Sequence, residues 1–513
     1  MTTSLPFLGL GLSSNLSVRD VPQPFALLDA HPGAFDFVEY SAPLSWEETR
    51  RSASLFDELW RRRAQVPALF HPVHLNLYGP TLESPRALRD LDAHLKASGS
   101  PWLGNDVGWW HEGGQPFPGF LYLPPPFNEA GLADAAAHAL HVQAAISVPL
   151  LLENPAVIAL RGELHVLDFM AALHARTGLP LLLDLGHLLS YQAARGLEWT
   201  AGLDGFPLEA VVEVHLAGGV LTREGERQVY VDDHSQPVRE ELFHLLELCL
   251  PRLTGLRALT FEGDGHPQEI ALQTLKRLRR FVPPVHPEPV EGSDVAVREQ
   301  GKHPEPGRGA PRLLLPPLTK ESGPWELFEE RHGARPASED EEGTRAELDF
   351  RLAVIAESLD RAFPLSRLLL LPTREALLAF TSSDAYRAIF DGNGQTLEAA
   401  YLRHARGVVR ALGEESFAGV LAFEQWAHGL FERPPRDGLA EDLREGTFAL
   451  DLSELVFATR ALRRHLGQRA WASERVELSG LESLRQVARR AAPGRWQALL
   501  RREGLSLTVA SAA

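Results

Sequence analysis

Eight short apolar runs recur through the first 282 residues, and they constrain the fold more than any other feature of the chain. They are PFLGLGLSS (6–14), FDFVEY (35–40), HPVHLNLYG (71–79), PWLGNDVGW (101–109), PLLLENPA (149–156), LPLLLDLGH (179–187), AVVEVHLAG (210–218) and ALTFEGDG (258–265). Each is too short for a helix and rich in Leu or Val, so each reads as a buried strand. Helical patterns lie between most of them, for example over residues 45–65 and 164–178. Strand–helix units of ~30 residues in a ~250-residue block predict a TIM (β/α)8 barrel, with a doubly wound open sheet as the runner-up. Polar residues favour the barrel. Nearly every run stops at His, Asp or Glu, and a closed barrel points all its strand ends at one site.

In chain order these residues are His71 and His74, Asp106, Glu153, Asp184 with His187, His215, Asp232 with His234, and Glu262. Nitrogen and oxygen donors gathered at one mouth suit iron, manganese or zinc. Each residue alone has a plainer reading. Glu153, behind three leucines, fits a structural ion pair as well as a ligand. Asp184 fits a helix cap. A lone strand histidine such as His215, with Glu213 two residues earlier on its face, is more often a satisfied core residue. Asp232 and His234 sit in what reads as a polar, solvated loop. The coincidence of potential ligands at six strand ends predicts a metal centre all the same. Their number exceeds the three or four protein ligands of one catalytic zinc, which predicts two metals or three, with carboxylates free to bridge.

Residues 283–324 break the pattern. The stretch is rich in Pro, Gly and charge, and HPEP occurs at 286–289 and again at 303–306. It reads as a disordered linker. Residues 325–513 read as an all-α domain of unassigned role, with Ser338 as an N-cap, Glu341 three residues on and a frayed tail, LSLTVASAA. The formal net charge of −17 argues against nucleic acid and against an anionic membrane as partners. The one cysteine, Cys249, excludes an internal disulfide and reads as an inert buried thiol. His138, His141, His165 and His174 lie on helical stretches and read as surface or packing residues. GLGLSSN (9–15) lacks the third glycine of a phosphate loop. With no signal-like N-terminus and no run of ~20 apolar residues, a cytoplasmic protein is expected.

The motifs GLGLSS, DFVEY, HPVHLNLYG, LYLPPPFNEAGL, LLENP, LLLDLGH, VVEVHLAG, VDDHSQPV and TFEGD follow one another in this order. The ordered set, over about residues 7–275, resembles the multinuclear non-heme iron-dependent oxidative enzymes. The resemblance implies a TIM barrel, two or three iron ions, and O2 as co-substrate. It also implies oxidation of residues, often cysteines, in ribosomally made peptides, with the peptide substrate usually delivered by a recruiting partner protein or domain. Carried over position by position, it implies His71, Glu153, Asp184, His187, His215, Asp232, His234 and Glu262 as iron ligands and prefers His71 to His74. Two positions depart from the family. Asp106 stands where a histidine is usual, and can still bind as a harder oxygen ligand. Gly219 gives HLAGG where HLAGH is usual. Two other readings keep the barrel: a xylose-isomerase-like divalent-metal isomerase or hydrolase, and a metal-binding scaffold without catalysis.

Overall fold

The computed structural model describes residues 5–285 and 341–509, apart from 19, 118–121, 225–226, 391–394, 432–440, 468–469, 491–492 and 502–503. Most of the expected linker, and the expected helix cap Ser338 of the following domain, lie outside the described residues. The chain forms two compact units, the first drawn mainly from residues before 320 and the second mainly from residues after 346. No described helix is long and apolar enough to cross a membrane.

The first unit is a closed barrel of eight parallel strands in chain order. They are Gly9–Ser14, Phe37–Ala42, Ala68–Pro72, Leu103–Asp106, Leu150–Glu153, Leu181–Asp184, Val211–Ala217 and Ala258–Glu262. The first strand closes the ring on the eighth, with Gly9 opposite Ala258 and Leu12 opposite Phe261. Closure excludes the doubly wound sheet.

Alternation along the strands explains both core and site, because successive side chains point to opposite faces. One set, including Val38, Tyr40, Phe70, Leu150, Leu152, Leu181, Leu183, Val214, Leu216, Leu259 and Phe261, joins the main apolar core with the helices. The other set begins as a separate apolar cluster of Leu8, Phe37, Leu69, Trp102, Leu151, Leu182, Val212 and Ala258. These residues fill the barrel's interior towards its N-terminal end. Two residues further on, the same inward positions carry Glu39, His71, Glu153 and Asp184. In these four strands the sequence thus switches from plug to polar site within one pleat. Gly11 belongs to this inner layer. A Cβ there would lie 2.2 Å from the Phe37 ring, so glycine lets the plug close.

Several local expectations shift. The third strand is Ala68–Pro72, which begins before the expected run 71–79 and shares only His71 and Pro72 with it. His74 then takes a left-handed φ of 63°, which ends the extended chain and leaves Leu75 and Leu77 buried in a loop. The helical stretch 45–65 splits into Trp46–Ser52 and Phe56–Arg62. After the seventh barrel strand the chain makes an antiparallel hairpin, Gly219–Glu224 with Arg227–Asp232. Asp232 therefore ends a strand instead of lying in a solvated loop.

The second unit is helical. Glu341–Ala362, Leu397–Leu412, Glu415–Phe431, Leu452–Leu466 and Arg475–Arg489 are its long helices, around a core that includes Leu352, Ile355, Phe363, Phe380, Tyr401, Val420 and Leu484. An antiparallel sheet of three strands, Glu441–Ala449, Pro493–Arg501 and Gly504–Val509, adds to it and corrects the expectation of helices alone. Leu505–Val509 pairs with Trp496–Leu500, so that part of the tail is ordered by its partner strand.

Candidate metal centre

The inward positions at the C-terminal strand ends converge. Asp106 lies opposite Glu153 in the strand register, and Asp184 opposite His215. Four overlapping groups offer donor atoms within 4.8 Å of one another: Glu39/His71/His215, His71/Asp106/Glu153, Glu153/Asp184/His187 and Asp184/His215/Glu262. Seven of the nine residues expected from the sequence belong to these groups. Asp232 and His234 stand at the rim. Asp232 Oδ2 is 3.5 Å from His187 Nε2 and 3.1 Å from His234 Nε2, and His234 Nε2 is 3.8 Å from Glu262 Oε2. His74 instead faces the edge of Trp110.

Whether these residues fit a metal can be tested on their unsatisfied atoms. His71 Nδ1, Glu153 Oε2, Asp184 Oδ2, Asp232 Oδ1 and both ring nitrogens of His215 are buried without a hydrogen-bond partner. Each such atom costs about 1–3 kcal/mol. Concentrating them at one strand-end layer makes sense if a cation takes their lone pairs, so the donor set fits.

The charge distribution points the same way. Burial pushes the Glu153 carboxyl well above its ordinary range, with Asp106 adding to the effect. Burial likewise raises Glu39 to about 8 and Asp106 to about 6. Burial opposes the charging of His215 and His187, but the surrounding carboxylates outweigh it and hold both imidazoles well above their usual value. His71, desolvated and facing His215, is pushed down to about 3 and stays neutral. Protons are thus retained where a cation would otherwise neutralise crowded carboxylates.

Local structure fixes the donors. Asp184 caps the helix Leu185–Arg195: its Oδ1 accepts the His187 N–H at 2.6 Å. Its Oδ2 remains unpartnered, so cap and ligand are two oxygens of one side chain. His187 Nδ1 donates to the Asn154 carbonyl at 2.9 Å, which leaves Nε2 for Asp232, 3.5 Å away, or for a metal. Asn154 also clamps two strand ends, accepting the Asp184 N–H and donating to the Asp184 carbonyl, both at 2.9 Å.

Three participants escaped the sequence reading in whole or part. Glu39 shares the inward parity of Phe37, but it sits before Tyr40 and so does not end its run. Glu213 was placed on the His215 face without a task. Its carboxylate accepts from Trp102 Nε1 at 2.8 Å and from Thr260 Oγ1 at 2.7 Å. Despite burial, these bonds and His215 keep it ionised, a fixed charge 3.5 Å from His215 Nε2. Asp264 lies 3.5 Å from His234 Nδ1, which orients that ring. Elsewhere His138 meets the carbonyls of Asn76 and Gly79, and His174 that of Leu179. Cys249 is buried, and burial raises its thiol to about 11.

The sequence pattern of the RiPP precursor modification enzymes MbnB/TglH/ChrH matches residues 9–281, the span from the first barrel strand past the eighth. The chain belongs to this family. Among curated relatives, a UPF0276 protein of Bordetella pertussis is 37% identical over 152 residues, 29% of this chain and 52% of that protein. The chain thus spans about half the length of the first relatives it matches. A UPF0276 protein of Caulobacter vibrioides is 28% identical over 270 residues, 52% of this chain and 90% of that protein. Among solved structures, endonuclease IV from Thermus thermophilus has 20% identity and a TM-score of 0.35, covering 53% of this chain and 98% of that one. A D-allulose 3-epimerase from Methylomonas sp. has 16% identity and a TM-score of 0.35, covering 54% and 100%. Neither structural likeness bears on chemistry.

Gly219, expected from the resemblance to be a departure, has a local explanation. A Cβ at Gly219 would stand 2.2 Å from Cζ and Oη of Tyr230 across the hairpin. The phenol ring fills the space that a side chain at position 219 would need.

Proposed function

We propose that this protein is an iron-dependent oxidase or oxygenase that uses O2 to modify a side chain, foremost a cysteine, of a ribosomally made precursor peptide. Two or three iron ions would be held by His71, Asp106, Glu153, Asp184, His187, His215, Asp232, His234 and Glu262, with Glu39 beside them. The observation that carries the reading is the layer of buried, unpartnered donor atoms at the barrel mouth of a member of this family. Bound iron would supply the electrons and the Lewis acidity that O2 chemistry needs. The protein's part is placement. His71, kept neutral by burial, offers a lone pair without losing a proton. Glu153 belongs to two donor groups and is suited to bridging. The plug below the donors keeps water out from that side. The substrate peptide would be brought by a recruiting partner protein, in the cytoplasm.

The test is anaerobic purification, metal analysis and Mössbauer spectroscopy, followed by O2 consumption with a precursor peptide. Iron at two or more equivalents and peptide-dependent O2 uptake are expected. One observation favours a second reading, a divalent-metal isomerase or hydrolase. Carboxylates outnumber imidazoles in the four donor groups, a balance that suits manganese or magnesium. Colourless metal, with turnover independent of O2, would replace the first reading with the second.

A further inference from the structure

Tyr122 has a seat built for its ring, and its hydroxyl has partners at two strand ends. The ring stacks on Trp110 with centroids 4.4 Å apart and planes 24° apart. On its edge stands Gly108, where a Cβ would come within 2.5 Å of Tyr122 Cδ2. Glycine there makes the room the phenol occupies. The hydroxyl accepts the Ala156 N–H at 2.7 Å and reaches Asp106 Oδ1 at 3.1 Å. A phenol has one proton. With its oxygen already accepting the amide, that proton is left for the carboxylate.

Ala156 lies just beyond Asn154 at the end of the fifth strand, and Asp106 ends the fourth. The hydroxyl therefore ties the Asp106 side chain to the backbone that follows Glu153. Asp106 Oδ1 also lies 3.4 Å from His187 Nδ1, a competing direction for the same oxygen. Among described residues, Asp106 is grouped with His71 and Glu153 as a donor. Its orientation decides whether that group is complete.

We infer that Tyr122 is a positioning residue for the metal centre: its hydroxyl holds the Asp106 carboxylate in the orientation that serves His71 and Glu153, and it withdraws charge from that carboxylate. The inference rests on the metal-centre reading of the barrel mouth. It concerns a side chain that touches no metal. A hydrogen bond to an anionic ligand weakens its donation and fixes its rotamer, and loss of such outer partners costs roughly 10–100-fold in metal affinity.

The test is Co2+ titration of the metal-free full chain, followed by visible absorption, for the parent, Tyr122→Phe, Asp106→Ala and the double variant. Phenylalanine keeps the ring stack and removes only the hydroxyl. Tyr122→Phe should keep its circular dichroism spectrum, bind Co2+ about tenfold more weakly and shift the d–d bands. In the Asp106→Ala background the same change should alter neither affinity nor bands, because Tyr122 acts through Asp106. A lowered melting temperature with parental Co2+ binding would make Tyr122 a packing residue and overturn the inference. An equal loss in both backgrounds would overturn it too. If Asp106→Ala binds like the parent, Asp106 is no ligand and the inference falls while the centre stands. If the parent takes up no Co2+, the metal-centre reading itself has failed.

Discussion

At the scale of single residues, the centre sets metal binding against the stability of the metal-free chain. Glu153 makes this measurable. Its carboxyl is buried with one oxygen unpartnered, and burial raises it well above its ordinary range. Glu153→Gln should weaken metal binding by about tenfold or more while leaving the metal-free protein as stable or more so. A plain ion-pair residue would behave oppositely, with a loss of about 3–5 kcal/mol on removal of one partner. Chemical denaturation with and without metal separates the two. Glu39 gives a pH signature. Its folded value of about 8 lies above its ordinary 4.5, so its contribution is fully present below pH 4.5 and is lost as pH rises through 8. Metal-free Glu39→Gln should therefore gain on the parent progressively across that window, and parallel stability curves would refute the assignment. Asp106, Glu153, Asp184 and Glu262 were legible because each stops an apolar run. Glu39 was not, since only its pairing parity with Phe37 marks it as inward. Tyr122, inside the motif LYLPPPFNEAGL, carried no signal that its hydroxyl would meet Asp106.

At the scale of elements, the hairpin after the seventh barrel strand carries the departure at position 219. Gly219 pairs with Asp232 across it, and Tyr230 points along the same face as Asp232, two residues away. Gly219→His should force the Tyr230 ring aside and cost about 1–3 kcal/mol, the usual range for overpacking. Pairing it with Tyr230→Ala should recover part of that loss. A single variant that melts like the parent would show that the ring does not own the space. Seven of the barrel strands were readable from length and apolar content alone, while the third begins at Ala68, before its expected run. The hairpin was not, because its strands are polar and mark a rim. The three strands of the second unit hid for another reason. Glu441 pairs with Arg501, and such distant partners leave no local pattern in the sequence.

At the scale of the whole molecule, every barrel strand and every proposed metal ligand lies before residue 286. Residues 1–285 produced alone should therefore fold cooperatively and keep the parent's metal stoichiometry. A fragment that folds but holds no metal would mean that the remainder of the chain completes the centre. The apolar plug has a consequence of a different kind. Phe37, Leu69, Trp102, Leu151 and Leu182 stopper one end of the ring with almost no exposure. Among the described residues, this stopper closes the N-terminal side of the donor layer. In the proposed reaction, spent product and fresh reactant would then meet the donors from the same side, and inhibition by product should be competitive with the molecule being transformed.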